Sequence, residues 1–145
     1  MALPLAVLLL ISAPLPARAS LLHLVGPVPV EIGGSEGRLA PCPSPAHCAR
    51  ADWPLADPAA ALELLEALLE ADPAISLEER SGPYLHATAS SRIFGFVDDL
   101  ELLADPDRAL LQARSVSRLG DSDLGVNARR LERLRVELGA DQPGG

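Results

Sequence analysis

The chain has 145 residues, room for one domain of ordinary size, and 48% of them are apolar, enough for a real core. Aromatics make up only 3%, so that core must be built from aliphatic side chains. Acids outnumber bases 20 to 12, and the net charge of −8 argues against a nucleic-acid role, which needs a cationic stripe to displace counterions.

Residues 1–19 read as an export signal. Leu3 to Ile11 is an apolar run, Pro14 and Pro16 break it, and Ala17-Arg18-Ala19 offers a small-x-small cleavage pattern. The run is too short to span a bilayer, and nothing later replaces it, so no membrane span is expected in the mature chain. Residues 20–40 form a Pro- and Gly-punctuated extended lead-in. Its LLHLV segment is apolar enough to be expected against the domain. One α+β domain is expected over 41–139, with a frayed tail at 140–145.

Cys42 and Cys48 enclose a short loop, CPSPAHC. In an exported chain with two cysteines, a local disulfide is the leading expectation, contributing about 2 kcal/mol for so short a loop. A metal site with His47 has too few ligands, and a redox pair lacks the CxxC spacing.

Asp57-Pro58 opens a helix, with Asp at the cap and Pro where no N–H is needed. Leu62, Leu65 and Leu69 make its apolar face, and Asp72-Pro73 stops it. Four strands follow, over 74–80, 84–90, 93–103 and 109–118, each alternating or apolar and separated by short turns. Short turns imply antiparallel neighbours. Asn127 to Leu138 then reads as a second helix, with Leu131, Leu134 and Leu138 on one face and Gly139 at its end. The expected fold is α+β: a four-stranded antiparallel sheet with two helices packed on one face.

Three blocks carry a family resemblance. They are Tyr84-Leu85-His86-Ala87, the run Ser91-Arg92-Ile93-Phe94-Gly95-Phe96-Val97-Asp98-Asp99, and Arg114 to Arg130 with its Ser-Arg-x-Gly-x-Ser-Asp-x-Gly-Val-Asn core. Over roughly residues 40–138 the chain resembles the uncharacterised family called domain of unknown function 1499. The cysteine segment departs from that pattern, with His47 where Asn is usual. The resemblance supports the domain's limits and implies no catalytic residue.

On alternating strands, Asp98 and Asp99 face opposite sides, so they do not form an acid/base pair on one bond. One of them is expected on the sheet's open side, where Arg92, Arg114 or Arg118 can neutralise it. That patch is either a structural ion-pair network or a site for carboxylates and other anions. Asp123 and Asn127 can cap the last helix; the other reading has its N-terminus holding an anion beside Arg130. His86 falls on the polar face with Tyr84 and Thr88, as a hydrogen-bonded imidazole or as a base. No GxGxxG, Walker or GxSxG pattern is present, and no cofactor or metal is expected.

The leading expectation is therefore an exported binding or accessory protein of the periplasm or thylakoid lumen. Its small anionic ligand or acidic partner would meet Arg92, Asp98, Asp99, Arg114, Arg118, Asp123, Asn127, Arg130 and His86. The alternatives are a small hydrolase or transferase using His86 with Asp98 or Asp99, and a structural subunit of an envelope or thylakoid assembly.

Overall fold

The computed structural model describes residues 24–92 and 94–139. The export signal, the first residues of the lead-in and the tail at 140–145 lie outside them. Helix α1 spans Pro58–Glu70, and the Asp57 carboxylate accepts the Ala60 N–H at 2.9 Å, so the cap read from the sequence is formed. Leu62, Leu65 and Leu69 are its buried leucines. Helix α2, Val126–Glu137, buries Leu131 and Leu134 in the same way.

The sheet has five strands, not the four expected. They are β1 (Cys48–Pro54), β2 (Ile75–Ser81), β3 (Tyr84–Ser90), β4 (Val97–Asp105) and β5 (Leu110–Ser117). Their order is β1-β5-β4-β3-β2, with every neighbouring pair antiparallel. The additional strand, β1, follows the cysteine loop and runs along β5, Cys48 opposite Val116 and Pro54 opposite Leu110. Its inward residues are Ala49, Ala51 and Trp53, and alanine is a poor marker of a strand. Neighbouring β5, rather than intrinsic propensity, makes this segment extended.

The strand expected from Ile93 begins instead at Val97. Ahead of it Ser91 closes on Phe96: its N–H donates to the Phe96 carbonyl at 2.9 Å, and its hydroxyl accepts the Phe96 N–H at 3.0 Å. Gly95 has φ 67°, which glycine adopts without penalty.

Both helices cover one face of the sheet. Trp53, Leu85, Ala87, Leu100, Leu102, Leu111 and Ala113 meet the helical leucines there. Each fully buried leucine contributes roughly 1.5–3 kcal/mol. The opposite face carries Tyr84, His86, Thr88, Asp99, Glu101, Gln112 and Arg114, and every one of these is buried.

Residues 24–41 help to bury them. This segment, the strap, runs from the turn before β4, where the Leu24 N–H meets the Phe94 carbonyl at 3.3 Å, to the β1–β5 side. There the Leu39 N–H donates to Gln112 Oε1 at 2.9 Å, and Gln112 Nε2 returns a bond to the Gly37 carbonyl at 2.9 Å. Cys42 and Cys48 are disulfide-bonded with Cα atoms 5.6 Å apart. The loop they close accepts the Asp123 N–H on the Ala46 carbonyl at 2.9 Å, and the Ser117 N–H on His47 at 2.9 Å. No described helix is long and apolar enough to cross a membrane.

Candidate functional site

Strand alternation divides the expected site residues between two faces. Asp98 and Ser115 point to the helix side, at the end of the sheet where the leucine core stops. Arg130 of α2 reaches Asp98 at 2.8 Å and Ser115 Oγ at 2.9 Å. Asn127 is fully buried beside them and donates to Ser117 Oγ, Asp123 Oδ2 and the His47 carbonyl at 2.8, 2.7 and 3.2 Å.

Asp123 also accepts the N–H groups of Gly125 and Asn127, at 2.7 and 3.2 Å. Burial pushes its carboxyl pKa up, but the Asn127 side chain and those N–H groups outweigh it and hold the pKa below the ordinary value. The helix-start residues are thus occupied with one another. They fasten α2 and the disulfide loop to β5.

On the other face, register aligns one residue from each strand: Arg50, Arg114, Glu101, His86 and Glu79, from β1 across to β2. Two clusters grow from this row. In the first, the buried Asp99 carboxylate takes two bonds of 2.8 Å from Arg118, and His86 Nε2 lies 2.8 Å from its Oδ1. Burial acts to raise the Asp99 pKa, yet the Arg118 and His86 hydrogen bonds prevail and the value is lowered. Arg118 is correspondingly raised, chiefly by its bonds to Asp99.

The Asp99 shift sets a pH dependence. A carboxylate with a folded pKa below its unfolded one adds stability above the unfolded value and loses it as pH falls through the folded value. Stability should therefore drop below about pH 4. Asp99→Asn should be less stable at neutral pH and show a shallower acid slope, read from urea midpoints at pH 6 and pH 3. Equal slopes would mean that Asp99 is not held ionised by Arg118.

The second cluster centres on Glu101 and Arg114, both fully buried. Arg114 Nη1 donates to Glu101 Oε2 at 2.8 Å. Glu101 Oε1 accepts from the Tyr84 hydroxyl at 2.8 Å and from the Gly33 N–H of the strap at 2.9 Å. Burial, then the Glu101 charge, raises the Tyr84 pKa and keeps the phenol protonated. Arg114 is less well served. Its Nε and Nη2 have no hydrogen-bond partner among the described residues, and Glu31 of the strap lies 3.6 Å from Nη2.

Beside this point the strap curls around a concavity of about 490 Å³ lined by Val30, Glu31, Ile32, Arg38 and Leu39, among others. Arg92 stands apart, exposed in the turn before β4 with no ion-pair partner among the described residues. No serine of the segment 115–122 joins His86 as a nucleophile would. Ser115 and Ser117 are on the helix face, and Ser122 is exposed, bonded to the Leu124 N–H at 3.3 Å. Among the described residues no group of three or more His, Cys, Asp or Glu is placed to hold a metal ion.

Sequence reasoning did not single out Glu101, Tyr84, Gln112, Arg50 or Glu31. For Tyr84 and Glu101 the signal was available, since alternation puts both on the face of His86 and Asp99. For Glu31 it was not, because its place depends on the path of the strap.

A family model described as "Protein of unknown function (DUF1499)" matches residues 38–138. No curated protein matches the chain.

Proposed function

Because the chain belongs to the DUF1499 family, whose function is unknown, membership brings no activity, and we propose a non-enzymatic binding domain working outside the cytoplasm. It takes up a carboxylate-bearing ligand or an acidic partner chain at Arg114. The supporting observation is the pair of buried Arg114 nitrogens, Nε and Nη2, that make no hydrogen bond among the described residues, Nη2 having only the loose Glu31 ion pair at 3.6 Å. Buried donors are nearly always satisfied, and each one left unmade costs about 1–3 kcal/mol, more for a charged group. Such a cost is tolerated where a ligand supplies the missing acceptor.

Arg118 and Arg130, by contrast, already hold Asp99 and Asp98 at 2.8 Å. The proposed anion site therefore contracts from the whole arginine-rich face to Arg114. Export is supported by the apolar run before Ala17-Arg18-Ala19 and by the disulfide, since such bonds persist in oxidising compartments.

The test is calorimetric titration with succinate and with short Glu-containing peptides, on the parent chain and on Arg114→Lys. Lysine keeps a charge for Glu101 but removes the forked donors. Affinity should fall about tenfold or more, the equivalent of one charge-assisted hydrogen bond, with circular dichroism unchanged. Equal binding by both chains, or binding by neither, overturns the proposal.

A further inference from the structure

We infer that residues 30–37 are a tethered stand-in for the ligand of this site, and that the ligand itself is an extended acidic peptide of a partner chain that displaces them. This rests on the Arg114 reading above and adds to it a ligand class and a means of control.

The strap meets the sheet as a peptide would. Its Glu31 carboxylate approaches Arg114 Nη2, and two residues later the Gly33 N–H donates to Glu101 Oε1 at 2.9 Å. An incoming chain with the same order, an acidic residue followed two positions on by a free N–H, offers the same two groups.

The stand-in is a poor one. At 3.6 Å, Glu31 makes no hydrogen bond to the buried arginine, and its own side chain remains 36% exposed. Soon after it the chain reverses in a two-residue hairpin, Ser35 and Arg38 exchanging backbone bonds of 2.9 and 3.0 Å. Both residues between them have positive φ, 51° at Glu36 and 71° at Gly37, the conformation of a tight primed turn. Glu36, which carries a Cβ, adopts it at a steric cost. A peptide free of the hairpin can close to the usual charge-assisted distance of about 2.8 Å.

Polar bonds more than apolar packing hold residues 30–37 in place: the Gly33 N–H on Glu101 and the Gly37 carbonyl on Gln112, each at 2.9 Å. Val30 is 98% exposed and Val28 54%, so these apolar side chains do little to dock the strap. Segments with few buried apolar contacts open at low free energy. The firm anchor is Leu39, 3% exposed, with its N–H on Gln112. Leu39 lies inside the matched region, which begins at residue 38, whereas Glu31 and Gly33 lie outside it. The covered face is thus built from matched residues, and residues 30–37 of its cover from unmatched ones.

The experiment uses the full chain, its Glu31→Gln variant and a Gly34→Val variant. Gly34 has φ 64°, and a Cβ there collides with the Arg38 carbonyl, so valine breaks the hairpin without touching the sheet. The probe is the synthetic octapeptide Val-Glu-Ile-Gly-Gly-Ser-Glu-Gly, matching residues 30–37, with a copy in which its first Glu is Gln. Both variants should bind the Glu peptide about tenfold more tightly than the parent, because an intramolecular competitor at high effective concentration has been weakened. The Gln peptide should bind none of them well. Equal affinity across the three chains removes the stand-in and leaves the Arg114 reading intact. Arg114-dependent binding of succinate with no peptide binding removes the peptide class alone. No binding of peptide or succinate by any chain removes both. Since Glu31 is partly exposed, its variant keeps the test valid even if Gly34→Val does not fold.

Discussion

Glu101→Leu is expected to lower the unfolding free energy by about 3–5 kcal/mol, because it removes the one hydrogen-bonded counter-ion of a fully buried guanidinium and leaves it only Glu31 at 3.6 Å. Three donors lose their acceptor at once: Arg114 Nη1, the Tyr84 hydroxyl and the Gly33 N–H. The double variant Glu101→Leu with Arg114→Leu should recover much of the loss, since two apolar side chains of similar volume avoid the desolvation that a lone ion suffers. Urea unfolding followed by circular dichroism measures both. A single-variant loss of about 1 kcal/mol or less is what an exposed pair gives. That result would contradict the burial of this pair beneath the strap.

Trp53→Ala should cost about 3–5 kcal/mol, the usual penalty for truncating a buried large aromatic. Trp53 is the chain's one tryptophan and brings β1 into the leucine core opposite Leu111. Its loss should also free the β1 amides to exchange with solvent sooner than those of β3 and β4. Leu64→Ala is the control: that leucine is exposed on α1 and should change stability by no more than about 0.5 kcal/mol. If both substitutions cost the same, β1 is not packed as described.

Elements with strong local chemistry could be read from the sequence. Asp57-Pro58 announced α1, the turns at 81–83 and 105–107 announced the meander, and β3 falls on the expected residues 84–90. Opposite orientation of Asp98 and Asp99 followed from the period of a strand alone. What the sequence did not disclose depends on contacts between distant segments. β1 owes its extension to β5, and its alanines give no local sign of that. Gathering every arginine near the sheet into one patch fails because side chains one residue apart face opposite ways. Arg130 therefore belongs with Asp98 and Arg118 with Asp99.

The strand order has a consequence for how the chain assembles. Strands β2 to β5 are joined by short turns and can zip up from neighbouring contacts, a fast route. The earliest strand must instead wait for the latest, because β1 pairs with nothing until β5 exists. A polypeptide appearing amino end first from a ribosome or a translocation channel thus holds its opening ribbon idle until the closing one has emerged. Cys42 and Cys48 are only six positions apart, so their cross-link needs no such delay. It can be in place before the ribbon it precedes has a neighbour.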